Sequence, residues 1–593
     1  MTSALPRNIK ARNNKQEPFW RLYFVFVVIL VLVGVLIWKI FSLQISNNDF
    51  LQLQGNARTV RNDVLDAHRG IIMDRNGEPL AISTPVLSLW LNPKEVLQAP
   101  ERWPEFFEGI EKEGINSEIF RNRIIANASR EFLYIKRRIP PADAQKILDL
   151  KIPGVYSREE YRRYYPLGEV AAHIVGLTDA DDAGQEGLEL SYDDWLKGKP
   201  GSKQVLKDRR GGIIRDVKTI AVAEPGNNLE LSIDSRIQTL TYKALKEEVT
   251  RRRAKSGTAI VLDAVTGEVL AMASQPSYNP NNRATVNKGE MRNRAIVDLL
   301  EPGSTVKTFT VTAALESGLF DTSSIIDTNP GSIRIDRTTI RDPVNYGLVS
   351  LEKIITKSSQ VGASRLGLGM GEVPMLDVLS RVGFGQPIGS GFPGEASGIL
   401  PSHERWSKAD IASMAYGYGF QVSPLQLAQA YMIYANGGIK KPVSFLKHTQ
   451  AVSGQRVVDE KIVRDVVSML ETVVDPKKGG TGTRAYLPFY RVAGKTGTAW
   501  YYDVAKGGYD NQKYISLFAG FIPVTEPRIV VVVTINEPQG EEYGGGQIAA
   551  PVFARIAAGA MRILNVPPDQ ITTPVLDLSL LDNTSGKDLG SGL

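Results

Sequence analysis

The sequence predicts an α/β protein of the α+β kind. A central antiparallel sheet with a helical subdomain stands on an elongated mixed pedestal, preceded by one transmembrane helix. Three observations carry this. Leu22 to Trp38 is an unbroken apolar run of seventeen residues. Strand-like apolar pairs mark both ends of the region after residue 226: Thr258–Leu262 with Glu268–Ala273, and Ile515–Phe521 with Ile529–Ile535. Between them the apolar residues follow helical spacing, so outer strands from both ends of the domain enclose a helical middle.

Taken in order, residues 1–21 form a basic tail, with Arg7, Lys10, Arg12, Lys15 and Arg21 against Glu17. Residues 22–42 are the anchor. With Phe19, Trp20, Ile40 and Phe41 the apolar run extends to 23 residues, close to the ~20 that span a bilayer. Arg21 and Lys39 can snorkel at its ends, and Trp20 and Trp38 suit the interfaces. The run is longer than the apolar region of a cleaved signal, and no small-residue cleavage site follows Trp38. Positive charge before the span places the tail in the cytoplasm and the remainder outside. The expectation is a single-pass anchored protein with the rest of the chain in an exported compartment.

Residues 43–225 read as the pedestal. Asn76-Gly77 between the apolar stretches Gly70–Met73 and Leu80–Leu91 is a hairpin signal. Tyr161-Arg-Arg-Tyr-Tyr-Pro166 and Gly184-Gln-Glu-Gly-Leu-Glu189 read as anchored turns. Residues 226–565 form the second domain, in which Asp263-Ala-Val-Thr-Gly267 joins the first strand pair and Ile548–Ile563 reads as a helix. Residues 566–593 turn polar and Gly/Ser-rich, a disordered tail.

Composition excludes several chemistries. At 593 residues, 42% hydrophobic and 23% charged, the chain is long enough for several folded domains. It has no cysteine, so disulfides and thiolate catalysis are out. Its four histidines, His68, His173, His403 and His448, form no metal-ligand or triad spacing. Neither a metal nor a cofactor is expected. The net charge of +6 is concentrated in the first 21 residues, which carry +4, so no nucleic-acid footprint remains. Arg251-Arg-Arg253 reads as a solvated helix end.

Three motifs carry the chemistry: Ser304-Thr-Val-Lys307, Ser358-Ser359-Gln360 and Lys495-Thr496-Gly497-Thr498. In this order they describe a serine acyl-transfer site. As strings they decide little, because Ser350-Leu-Glu-Lys353 and Ser444-Phe-Leu-Lys447 repeat the first and Lys255-Ser-Gly-Thr258 resembles the third. Context separates them. Ser350 fits a helix N-cap, Ser444 follows Pro442 in a loop, and Lys255 opens a strand. Glu301-Pro-Gly instead turns the chain into an apolar helix at Ser304, where the dipole favours developing negative charge. Lys307 projects from the same face. A serine needs a base within hydrogen-bond reach, and a lysine serves once burial and a neighbouring cation such as Lys495 lower its pKa. Ser358 and Gln360 offer a hydroxyl and an amide. Lys495 and the two threonines suit a substrate carboxylate, and Gly497 permits close backbone approach.

With these motifs the chain resembles the class B penicillin-binding proteins, of the division-specific peptidoglycan D,D-transpeptidase type. The likeness also takes in Arg69-Gly through Asn76-Gly77, the stretches at 161–189, Arg292-Asn-Arg-Ala-Ile, Tyr416 to Gln426 and Tyr543-Gly-Gly-Gly546. It implies a transpeptidase domain of the penicillin-binding-protein and serine β-lactamase kind on a dimerisation-type pedestal. It further implies Ser304 as acylated nucleophile, Lys307 as general base and Ser358 in the proton relay. Lys495 and Thr496 would bind carboxylate, and the backbone N–H groups of Ser304 and Thr498 would form the oxyanion hole. The implied reaction crosslinks muropeptide stem peptides in septal wall synthesis, releasing D-Ala, and β-lactams acylate the same serine. A lipid-II polymerase and other division proteins are the implied partners. Gln360 stands where the family has Asn, with an amide one methylene further out. The competing readings are an anchored serine β-lactamase, for which no E-x-x-L-N stretch follows Gln360, and a non-catalytic β-lactam sensor or division scaffold.

Overall fold

The computed structural model describes residues 20–46, 60–207, 213–282, 284, 286–503 and 508–570. The basic tail before Trp20 and the polar tail after Gln570 lie outside the described residues. Helix α1 (Trp20–Phe41) buries none of its side chains. Among the described residues it is the one helix long and apolar enough to cross a membrane.

The pedestal is built from β1 (Val60–Leu65), β2 (Ile72–Met73), β3 (Pro79–Leu91), β4 (Leu133–Ile139), β5 (Val155–Tyr164), β6 (Gly201–Lys207) and β7 (Ile213–Ala221). The expected hairpin joins β2 to β3, with Ile72 opposite Ala81. Gly77 takes φ +87, and the Asp74 carboxylate accepts from the N–H groups of Asn76 and Glu78, holding the turn. One further strand, β8 (Leu229–Glu230), pairs in parallel with β2. The boundary expected at 225/226 therefore falls just before a strand that completes the pedestal's own sheet.

Below that sheet the anchored turns meet in a buried ion cluster. Glu189 is fully buried and takes Arg69 Nε at 2.6 Å and Arg163 Nε at 2.6 Å. Asp193 takes a second nitrogen of Arg69. Removing two cations and an anion from water is tolerable only because they are paired and hydrogen-bonded. Their role is structural: the motifs tie residues distant in sequence into one base.

The second domain begins with α2 (Ser235–Arg251), capped by the Asp234 carboxylate, which accepts from the N–H groups of Arg236 and Ile237. Strands β9 (Ser256–Asp263) and β10 (Val269–Gln275) follow, then α3 (Lys307–Glu316) and the hairpin β11 (Ser332–Ile335) and β12 (Thr338–Arg341). Helices α4 (Leu351–Lys357), α5 (Gln360–Met370), α6 (Pro424–Ala435) and α7 (Glu460–Val474) make the helical middle. The chain returns through β13 (Ala493–Asp503), β14 (Gly508–Ile522), β15 (Ile529–Asn536) and α8 (Gly545–Ile563).

The central sheet runs β10-β9-β15-β14-β13, antiparallel throughout, with first and last strands of the domain side by side. Both faces are covered, so its strands read as continuous apolar runs. Ile260, Leu262, Val530 and Val532 join the core that includes α3 and α6 residues such as Phe309 and Tyr431. Ala259, Val261, Val531 and Val533 face the α2–α8 side with Leu245 and Phe553. Of the arginines ending α2, Arg251 and Arg253 are exposed as expected, and Arg252 is not. Arg251 and Arg252 both pair with Glu248, and Arg252, with only 14% of its side chain exposed, also reaches Glu542 across the fold.

Candidate active site

The three look-alike motifs stay apart from the cleft. Ser350 caps α4, its hydroxyl accepting from Lys353 N–H, and the Lys353 side chain is exposed. Lys255 pairs with Glu537 at the rim. Ser444 bonds Leu446 in a loop. The remaining three motifs converge between α3, the α4–α5 break and the edge strand β13.

Glycines make that convergence possible. Ser304 lies in a 3₁₀ turn, Gly303–Val306, that runs directly into α3. Gly303 has φ +52, and its N–H donates to Gly417 O. A Cβ on Gly497 would come within 3.0 Å of Thr305 Cγ2 and 3.1 Å of Pro302 O. A side chain there would push β13 off the nucleophile turn. Ser304 itself is half-buried, whereas Thr305 and Val306 beside it are buried.

Lys307 is fully buried. Its Nζ donates to Ser358 O at 2.5 Å and to Ser358 Oγ at 3.2 Å. The structure thus joins Lys307 to Ser358, not to Ser304. Ser358 ends α4 in the left-handed conformation, φ +58, which turns both its oxygens toward the lysine. Burial lowers the Lys307 pKa from 10.5 to about 7, opposed by the charge of Asp342. Lys495, also fully buried, is pushed well down, by burial first and then by the charge of Lys307. The sequence reading had burial and Lys495 together depressing Lys307. In the structure burial does it, and the repulsion falls on Lys495. The charge of Lys307 disfavours that of Lys495, and a carboxylate placed beside Lys495 would favour its charged form.

The third motif lines the same edge. Lys495 Nζ donates to Thr496 O at 3.1 Å and lies 3.4 Å from Thr496 Oγ1, which shares a hydrogen bond with Thr481 Oγ1. Thr498 is half-buried, and its hydroxyl accepts from Gly545 N–H at 3.1 Å, bringing the N-terminus of α8 against β13. Gln360 contributes its backbone to a cap, its N–H donating to Asp342 Oδ1 at 2.6 Å, and its side chain is half-buried.

Several residues of the site carry no sequence signal. Asp342-Pro343 reads as an ordinary turn, yet Asp342 caps the middle motif. Tyr431 sits mid-helix among apolar residues. It is fully buried beneath the nucleophile turn, where its hydroxyl donates to Thr305 O at 2.8 Å and meets Thr308 Oγ1 at 3.0 Å. Glu301, read only as part of a Pro-Gly turn, is 7% exposed and accepts from Gly419 N–H and Tyr509 OH. Burial raises its pKa. The partners of Tyr431 and Glu301 lie over a hundred residues away, beyond any local pattern.

Residues 257–558 match the penicillin-binding protein transpeptidase domain, and residues 64–231 match the penicillin-binding protein dimerisation domain. The chain is 42% identical over 559 residues to the peptidoglycan D,D-transpeptidase FtsI of Escherichia coli K12, covering 93% of each chain. It is 38% identical over 578 residues to a probable peptidoglycan D,D-transpeptidase, PenA, of Neisseria meningitidis, covering 96% and 97%. Among solved structures it resembles penicillin-binding protein 3 of Mycobacterium tuberculosis complexed with aztreonam, with 28% identity and a TM-score of 0.65. That match covers 85% of this chain and 98% of the other. With both domains matched in order and the relatives covered nearly end to end, the chain belongs to the class B penicillin-binding proteins.

Proposed function

We propose that Ser304 is the nucleophile through which this peptidoglycan D,D-transpeptidase crosslinks stem peptides in septal wall synthesis. Neutral Lys307 accepts the Ser304 proton as Oγ attacks the penultimate D-Ala carbonyl. The C–N bond then breaks, and the leaving D-Ala amine takes a proton passed through Ser358. An acceptor amine next attacks the ester carbonyl, restoring Ser304 as the new amide forms. N–H groups of Ser304 and Thr498 face the oxyanion, a contribution worth about 2.7–4 kcal/mol per donor. Lys495, Thr496 and Thr498 hold the donor carboxylate, and Gln360 its peptide backbone.

The observation that carries this reading is the buried Lys307, its ammonium lowered to about 7 and turned onto Ser358 one turn from a solvent-reachable serine. β-Lactams acylate the same serine. The apolar α1 anchors the protein in the inner membrane, with the basic tail cytoplasmic and both domains outside. A lipid-II polymerase and other division proteins are its partners beside that anchor.

The test is Ser304→Ala, assayed by fluorescent-penicillin labelling and by crosslinking of stem peptides. Both vanish if the assignment is right, and labelling at wild-type level refutes it. A wild-type acyl-enzyme that hydrolyses within seconds would instead favour the β-lactamase reading.

A further inference from the structure

The middle motif is not held by its own helix pair alone. Asp342 leaves the end of β12 and places its carboxylate at the start of α5. Oδ2 accepts from Ser359 Oγ at 2.5 Å, and Oδ1 accepts from Gln360 N–H at 2.6 Å and Val361 N–H at 3.2 Å. Ser359 Oγ in turn accepts from Gly362 N–H at 2.9 Å. The Asp342 N–H is itself fixed, donating to Gly331 O at 3.0 Å. A carboxylate taking the first free N–H groups of an eleven-residue helix, at its positive end, sets where that helix begins.

Ser358 is the residue immediately before this cap, and it is left-handed. A non-glycine residue in that conformation persists only where its surroundings dictate it. From one side the Ser358 N–H is taken by Ile355 O, and the Ser359 N–H by Ile354 O. From the other side, Asp342 fixes the chain as it re-enters α5. We propose that Asp342 is a positioning residue for acyl transfer: by fixing the start of α5 it holds the α4–α5 break in the form that presents Ser358 to Lys307. The proposal rests on the assignment of Ser304 and Lys307 made above.

The same carboxylate has a second effect. The charged groups facing Lys307 are Lys495 from β13 and Asp342 from the β12–α4 link, while α4 offers only the uncharged oxygens of Ser358. Asp342 works against the burial of Lys307. Removing its charge makes the lysine easier to deprotonate, which moves the acid limb of acylation to lower pH. A purely structural residue would not move that limb.

The experiment measures the rate of acylation by a fluorescent penicillin from pH 5 to 10. It uses the full chain in detergent, with folding checked by circular dichroism. Asp342→Asn is expected to acylate about tenfold more slowly or worse, with its acid limb displaced below the wild-type midpoint. Asp342→Glu, which keeps the charge, leaves the limb in place. A folded Asp342→Asn protein that acylates at the wild-type rate, or slows with an unmoved limb, overturns the proposal. Should Asp342→Asn not fold, Ser359→Ala removes the bond to Asp342 and the one from Gly362 N–H, and no charge. It is expected to slow acylation about threefold with the limb unmoved, and a wild-type rate there overturns the proposal. Ser304→Ala runs alongside: labelling that survives in it would instead sink the nucleophile assignment.

Discussion

The lowered Lys307 pKa has a measurable signature. A lysine moved from 10.5 to about 7 holds its proton roughly 5 kcal/mol less tightly than in water. If that amine is the base for Ser304, the acylation rate follows its neutral fraction. About half the molecules are active at pH 7, about a tenth at pH 6 and about a hundredth at pH 5. The rate therefore falls about tenfold per pH unit below the midpoint and is flat above pH 8. Stopped-flow acylation by a chromogenic penicillin, run on protein shown to stay folded across the range, measures this directly. A lysine at its ordinary value would instead give a rate climbing through pH 9 and 10, and that climb would refute the reasoning, as would a flat profile from pH 5 to 8. Lys307→Arg, whose guanidinium stays charged, should not acylate at any of these pH values. Stability carries the same signature with a definite sign. Because the folded pKa is depressed, the unfolded chain binds the extra proton between about 7 and 10.5. Over that window this group makes the fold more stable as pH rises, by about 1.4 kcal/mol per unit, and it adds no slope below 7.

Gly497→Ala places a methyl 3.0 Å from Thr305 Cγ2 and 3.1 Å from Pro302 O. Acylation should fall by about tenfold or more with little change in melting temperature, and an unchanged rate would mean the turn and β13 need not touch. Tyr431→Phe deletes the hydroxyl that bonds Thr305 O and Thr308 Oγ1. The expected loss is about 1–3 kcal/mol, seen in urea unfolding. Glu189→Gln leaves Arg163 buried without its anion and Arg69 with Asp193 alone. It should destabilise the pedestal by about 3–5 kcal/mol, read as loss of a proteolysis-resistant fragment.

Much of this architecture was legible because it rests on local rules. The Asn76-Gly77 hairpin, the Ser350 cap, the apolar strands and the anchor each follow from a few adjacent residues. The site was legible as far as its motifs went, since Ser304, Lys307 and Lys495 are named by their flanks and order. What sequence could not supply was the pairing among motifs. Lys307 lies against Ser358 only because the break between α4 and α5 is left-handed, and the capping Asp342 looks like any Asp-Pro turn. Of the two causes expected to lower the lysine's pKa, burial acts and the neighbouring cation does not. Burial is a property of the packed core, and a lysine followed by Thr308 and Phe309 gives no local sign of it.

The parallel strand β8 bears on how this fold would respond to a pull along the chain. A pull applied between the N-terminal apolar helix and the second domain would enter β2 at its N-terminal end and β8 at its C-terminal end. Because the two strands run the same way, that tension slides one along the other instead of peeling them apart. The bonds from Leu229 N–H to Ile71 O, Leu231 N–H to Met73 O and Arg75 N–H to Ile233 O are then loaded together. Just beyond them the Asp74 carboxylate grips Ser235 N–H at the first turn of α2. The junction is arranged as a strap in shear, so such a pull would be shared across it before any one bond gives way.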